Sequence, residues 1–279
     1  MSLEVADIWR YPVKSCRGER VAGARVEPWG LAGDRRWMVV DEAGYAVTAR
    51  EHPRLVLVTP QVTGGEHITL TSPDQPDLTV PVPSGADLVA VKVWEKAWER
   101  VLMTAPADDK AGSWLTEIIG EPVRLVYLDD PTQRTTDPAY GQESDRVSFA
   151  DGFPLLLTSE ESLGELNQWI AGGTKAAEGP VPMRRFRPNV VVAGAPAWAE
   201  DGWPRLRIGP VTFRNVKGCD RCVLTTIDPD TAAKGHEPLF ALARHRRWDG
   251  KVWFGVNLVP DPPLGAAVIR RGDRVEILE

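Results

Sequence analysis

Cys219 and Cys222 stand three residues apart in the stretch Lys217-Gly218-Cys219-Asp220-Arg221-Cys222-Val223-Leu224-Thr225-Thr226-Ile227-Asp228-Pro229-Asp230. Lys217 and Arg221 lie beside them, and cationic neighbours favour thiolate over thiol, pulling a cysteine below its free value of about 8.5. The apolar, β-branched run that comes next predicts that Cys222 lies at the mouth of a strand. A thiolate held on a strand among positive charges suits a metal or an anionic cofactor. The simpler readings of C-x-x-C fit less well. A structural zinc needs four ligands, and His236, His245 and Cys16 are too widely spaced to complete a finger. A thioredoxin-type pair should open a helix within a βαβ unit, whereas strand residues come after it here. Two buried structural cysteines would leave the flanking cations unexplained.

Those cations have company. Arg10, Lys14, Arg17 and Arg20 crowd one segment against Glu19 alone, and Arg184, Arg185 and Arg187 stand together without a nearby acid. His245-Arg246-Arg247 forms a further group. Any one cluster reads as a solvated face. Arg187-Pro188-Asn189 is harder to dismiss, because Arg is a fork for phosphate or carboxylate and Pro stiffens the pair before a buried strand. If several clusters converge, they form a cationic pocket beside the thiolate, which a phosphorylated cofactor carrying a metal would satisfy.

The elements that must position these residues are mostly strands. At 279 residues, 43% hydrophobic and 26% charged, the chain has material for one large β domain or two smaller ones. A net charge of −6 argues against nucleic acid and a general membrane-surface role. Three cysteines make no disulfide framework, and acids stand at the N-terminus where a signal peptide carries Lys or Arg. These features predict a soluble cytoplasmic protein. Short strands are expected over 5–13, 24–29, 37–41, 45–48 and 55–63, with Gly64-Gly65 turning into 67–71 and a further pair over 89–94 and 98–103. A helix capped by Ser113 and stopped by Gly120 is next, then a strand over 123–128. Residues 129–146 read as an irregular linker or loop. In the second half, 153–157 is a buried strand, and Thr158-Ser159-Glu160-Glu161 reads as a capping box opening a helix closed by Gly172-Gly173. Strands over 190–192, 206–216 and 252–259, a helix with Pro238 at its first position, and a final hairpin through Gly272-Asp273 complete a second β unit. The fold class is mainly β with a few helices (α+β), as a barrel or a sandwich.

Together these motifs resemble the MOSC superfamily of molybdenum-cofactor proteins, in the branch of the mitochondrial amidoxime-reducing components and their bacterial relatives. Tyr11-Pro12-Val13-Lys14-Ser15-Cys16 is similar to the opening motif of that branch, and Gly33-Asp34-Arg35-Arg36-Trp37 to its next. Phe153 through Asn167, Arg185 through Asn189, and Cys219 through Asp230 keep the family's order, with Gly255 and Gly272-Asp273-Arg274-Val275 after them. The resemblance implies an N-terminal β-barrel domain (1–128, then the 129–146 segment) packed on a MOSC β-barrel domain (147–279). It implies a pyranopterin dithiolene molybdenum cofactor between them, with Cys222 as both metal ligand and catalytic residue. It further implies cofactor contacts from Lys14, Ser15, Arg35, Arg187 and Asn189. Arg221 is added beside the thiols, and Thr158 and Ser159 at a helix N-terminus, where free N–H groups favour anions.

The activity that the resemblance implies is reduction of N-hydroxylated compounds such as amidoximes and hydroxylamines. The chain ends at Glu279 without the iron–sulfur domain of some relatives, so electrons are expected from a separate ferredoxin, cytochrome or flavoprotein reductase. The alternative is a non-catalytic carrier of the cofactor or of sulfur. No nucleic-acid or membrane partner is expected.

Overall fold

A computed structural model describes residues 2–84, 87–96 and 99–279. Its largest element is a nine-stranded sheet, in which the order Val275–Leu278, Arg205–Ile208, Val211–Asp220, Lys251–Pro260, Leu155–Ser159, Val190–Ala193, Glu4–Arg10, Glu19–Val21 is joined at one side by Arg247–Trp248. All neighbours are antiparallel except Leu155–Ser159 with Val190–Ala193, the pair that α2 (Glu160–Ala171) connects. A four-stranded sheet (Trp37–Val40, Arg124–Tyr127, Leu102–Pro106, Val89–Val91) and the meander Thr59–Thr63, His67–Ser72, Gln75–Pro81 build the other half, with α1 (Asp109–Ile119) packed on it. The third helix, α3, is Leu239–His245. The protein is therefore mainly β, as expected.

The two halves are not consecutive in the chain. The strand Glu4–Arg10 pairs with Val190–Ala193, and Gly23–Glu27 pairs with Val268–Arg270. Accordingly Val5, Ile8, Val26 and Leu31 share one core with Leu157, Val192, Phe213 and Leu258. A side chain of this kind contributes about 1.5–3 kcal/mol when fully buried, so the first strands belong energetically to the C-terminal half. Ile227 crosses the other way and joins the core of Val13, Trp37, Leu55 and Leu115. A division of the chain at residue 128 is thus not a division between sheets. Between the cores, Tyr11 through Arg17 turns from the large sheet onto the strand at Trp37, with Lys14 N–H donating to Trp37 O at 2.8 Å.

Several expected elements are corrected. The strand Val211–Asp220 holds Cys219 but ends before Cys222, and Val223–Thr226 is a 3₁₀ turn. The Thr225 and Thr226 hydroxyls donate to Cys222 O and Val223 O at 2.9 and 2.8 Å, closing a turn where β propensity alone reads strand. Helix α1 begins earlier than expected because Asp108, not Ser113, accepts from Ala111 N–H; Gly120 ends it at φ 88°. Pro238 sits before the first turn of α3 rather than in it. Residues 53–57 form a 3₁₀ turn rather than strand, and Gln75–Pro81 is a strand that was not expected. The chain does turn at Gly272-Asp273, yet its flanking strands pair with Gly23–Glu27 and Arg205–Ile208 instead of each other. Of the expected strand over 98–103, residue 98 lies outside the described residues.

Candidate functional site

A cleft of ≈ 460 Å³ opens along the seam between the two cores, a size suited to a cofactor or small-molecule ligand. Lys14, Ser15, Arg35, Arg187, Asn189, Arg221 and Cys222 all line it, so seven of the residues singled out in the sequence come together. Thr158 and Ser159 do not. They are fully buried at the far end of the strand whose residues Leu155 and Leu156 line the cleft. Thr158 Oγ1 contacts Met183 Sδ at 3.2 Å, and Ser159 caps α2 by accepting from Ser162 N–H at 3.3 Å. Strand rise of about 3.3 Å per residue carries both away from the cleft, and the N-terminus of α2 with them.

Three cleft residues hold left-handed backbone: Ser15 at φ 69°, Arg35 at 45° and Arg187 at 57°. Non-glycine residues are uncommon there, and such strain collects at functional sites. What holds the two arginines is a buried network around Tyr11. Asp34 accepts from Tyr11 N–H at 2.7 Å and pairs with Arg35 at 2.6 Å. Arg35 donates onward to Asn189 Oδ1 (2.9 Å) and Arg187 O (3.1 Å). The guanidinium groups of Arg35 and Arg187 lie 4.5 and 4.4 Å from the Tyr11 ring centroid, and Arg187 also donates to Cys16 O at 2.7 Å. Asn189 spends its oxygen on Arg35 and Leu156 N–H and its nitrogen on Trp9 O, so within the protein it fixes Arg35.

The three thiols have distinct surroundings. Cys16 is fully buried, and burial pushes it up to about 12. Cys219 accepts from Arg221 Nη1 at 2.8 Å, yet burial still raises it above the ordinary cysteine value. Arg221 does favour the thiolate, as expected of a neighbouring cation, but burial outweighs it. Cys222 is half-buried at the cleft, with Arg50 Nε 3.3 Å from its sulfur.

Arg50 is a residue that spacing missed, together with Asp151 and Trp94. Asp151 accepts from Lys14 Nζ at 2.5 Å and Arg50 Nη2 at 2.7 Å, and both cations lie over the Trp94 ring, at 5.0 and 4.6 Å. Burial lowers Lys14 to about 8, against the pull of Asp151. The surroundings of Asp151 work to raise its carboxyl, but Lys14 and Arg50 outweigh them and hold it well below the ordinary carboxylate range. No local signal marks Arg50, since Glu51 beside it reads as a solvated partner. The 129–146 segment supports this corner: Arg134, 2% exposed, donates to Ser148 O and Ala150 O and pairs with Glu99, fixing the backbone that carries Asp151.

Among the described residues Arg187 and Arg221 have no carboxylate partner, and no three His, Cys, Asp or Glu side chains gather to hold a metal. The cleft offers anion-binding donors and a thiol. Against known families, residues 2–122 match the MOSC N-terminal beta barrel domain and residues 144–276 the MOSC domain. Human mitochondrial amidoxime-reducing component 1 is 34% identical over 98% of this chain and 82% of its own length. The human component 2 is 35% identical over 88% and 73%. A rice molybdenum cofactor sulfurase is 30% identical over 89% of this chain but 31% of that protein. Both domain matches and the extent of these likenesses agree: the chain belongs to the MOSC-domain family, in the branch that joins the MOSC N-terminal beta barrel to the MOSC domain and contains the mitochondrial amidoxime-reducing components.

Proposed function

We propose that the protein is a molybdenum-cofactor-dependent reductase of N-hydroxylated compounds, served by a separate electron-transfer protein. The observation that carries the reading is the Cys222 thiol beside Arg50 at one end of a cationic cleft, with too few neighbouring ligands among the described residues for a protein-built metal site. Such a site suits a metal that brings its own sulfur donors and needs one more, together with an anionic tail. The donors present fit that group. Among the described residues Arg187 and Arg221 lack carboxylate partners, and Arg221 Nε is buried without a hydrogen-bond partner. Cys222 would ligate the metal, while Lys14, Ser15, Arg35, Arg187 and Arg221 would hold the anionic tail and Asn189 would keep Arg35 in place. When bound, the cofactor supplies two-electron chemistry for cleaving an N–O bond. The chain's part is to orient it: Arg50 braces the thiol, and the Asp151 clamp keeps Lys14 and Arg50 on one side of the cleft. No helix among the described residues is long and apolar enough to cross a membrane.

The test is metal and pterin analysis of protein made in a cofactor-competent host, with a subsequent assay of amidoxime reduction using a supplied donor. Equimolar molybdenum and pterin, with turnover lost in Cys222→Ser and kept in Cys16→Ser, is expected. Zinc without pterin, or turnover that survives Cys222→Ser, would overturn the reading. The sulfurase relative motivates the carrier reading, whose signature would be a persulfide on one cysteine and no turnover in wild type.

A further inference from the structure

Cys222 stands next to Arg221 in the sequence, but the guanidinium that meets its sulfur comes from Arg50, 172 positions away. Arg221 turns instead to the Cys219 sulfur at 2.8 Å and to Phe186 O at 2.7 Å. Arg50 is held at both backbone and side chain. Its N–H donates to the buried Thr48 Oγ1 at 3.3 Å, and its carbonyl accepts from Lys234 Nζ at 3.4 Å. Its side chain, 18% exposed, lies 4.6 Å from the Trp94 ring centroid and donates from Nη2 to Asp151 at 2.7 Å. Those two contacts aim Nε at the sulfur, 3.3 Å away. A planar guanidinium keeps such an aim better than an ammonium on a flexible stem.

Asp151 also accepts from Lys14 at 2.5 Å. One carboxylate between two cations leaves a net positive charge on this side of the cleft, and Arg50 is sheltered enough that salt screens it little. A positive charge fixed against a ligating sulfur acts on the metal behind it. Each electron the metal accepts adds a negative charge, which the guanidinium stabilises. The donated hydrogen bond also draws electron density from the sulfur, and both effects raise the reduction potential.

On the reductase reading with Cys222 as metal ligand, on which this step rests, we propose that Arg50 is a positioning residue for the redox chemistry. It holds a positive charge against the Cys222 sulfur and so raises the potential of the metal bound there, easing its reduction by the electron donor.

Two measurements test this. In the cofactor-free chain, the rate constants of iodoacetate and iodoacetamide at Cys222 are read by peptide mass and compared as a ratio. Both reagents attack the same thiolate, so its abundance cancels and the ratio reports the charge at the sulfur. The ratio should fall several-fold in Arg50→Gln and less in Lys251→Gln, which removes a half-exposed cation of the cleft rim. In the loaded protein, dithionite reduces molybdenum(VI) by one electron, and the molybdenum(V) resonance is followed against potential. Arg50→Gln should lower the equilibrium constant for that electron about tenfold, or ~59 mV, and Arg50→Lys should recover part of the loss. If Arg50→Gln does not fold, Arg50→Lys carries the same test with a smaller drop. An unchanged ratio, an unchanged or raised potential, or equal effects from Lys251→Gln would overturn the proposal. When the wild type is loaded and reduces amidoximes, those results leave the reductase reading standing. Zinc without pterin in the wild type would overturn both together.

Discussion

Raising the pH above 8 should stabilise the cofactor-free chain, and Lys14 is the reason. Its side chain is 5% exposed and donates to Phe149 O at 2.9 Å and Asp151 at 2.5 Å, yet burial still brings it from 10.5 to about 8. Between those two values the folded chain has released a proton that the unfolded chain still holds. The unfolded state then binds more protons, so stability rises with pH. Below pH 8 the folded protein carries the full cost of a buried ammonium; above 10.5 the relief is complete. At ~1.36 kcal/mol per pH unit, the interval corresponds to about 3 kcal/mol. Urea unfolding of wild type and Lys14→Met across the range from neutrality to about pH 10 reads this directly, because other titrating groups cancel in the difference. Wild type should gain on the variant by ~1.4 kcal/mol per unit above pH 8 and run parallel to it below. A difference that stays flat throughout, or slopes the other way, would refute the assignment of Lys14 as a buried, strained cation.

Asp151→Asn removes the carboxylate that supports Lys14, so in the same unfolding series the rise should begin below pH 8; an unshifted onset would show that Asp151 does not support that charge. Arg187→Glu should abolish cofactor retention, since each charge-assisted contact contributes about 1.5–3 kcal/mol and reversal adds repulsion, whereas Arg247→Glu on the exposed surface should not. Equal molybdenum and pterin content in folded wild type and Arg187→Glu would count against a cofactor grip there. Gly255→Ala should lower stability by more than ~1 kcal/mol, because φ is +75° and the new Cβ would lie 2.6 Å from Leu157 O; an unchanged thermal midpoint contradicts this.

The convergence of cations was legible because an acidic chain set Arg10, Lys14, Arg17 and Arg20 against Glu19 alone and placed Arg184, Arg185 and Arg187 where no acid answers them nearby in sequence. Local rules served well where the relevant contacts are local, as in the Gly64-Gly65 turn between Thr59–Thr63 and His67–Ser72. They failed where tertiary geometry decides. Val223 through Ile227 has β composition, but two threonine hydroxyls close it into a turn. Thr158 and Ser159 do sit at a helix N-terminus, yet nothing local to the sequence tells which way that terminus faces. Arg50 reaches Asp151 across 101 positions and Cys222 across 172, so no motif window contains its role. The mixed cores escaped for the same reason, since Glu4–Arg10 finds its partner strand at Val190–Ala193.

That long-range pairing bears on the site itself. Left-handed backbone at a non-glycine residue costs on the order of 1–3 kcal/mol and persists only where its surroundings over-determine it. At Arg35 and Arg187 the surroundings come from both ends of the chain. Asn189, at the entry to Val190–Ala193, donates to Trp9 O and accepts from Arg35, while Asp34 accepts from Tyr11 N–H. Registering Glu4–Arg10 against Val190–Ala193 therefore does more than complete a sheet. It brings Trp9 to Asn189, which fixes Arg35, whose other nitrogen donates to Arg187 O and ties the two strained arginines together. In a cleft built this way the strain at Arg35 and Arg187 is sustained by buried hydrogen bonds from the fold itself, which hold both guanidinium groups in fixed positions.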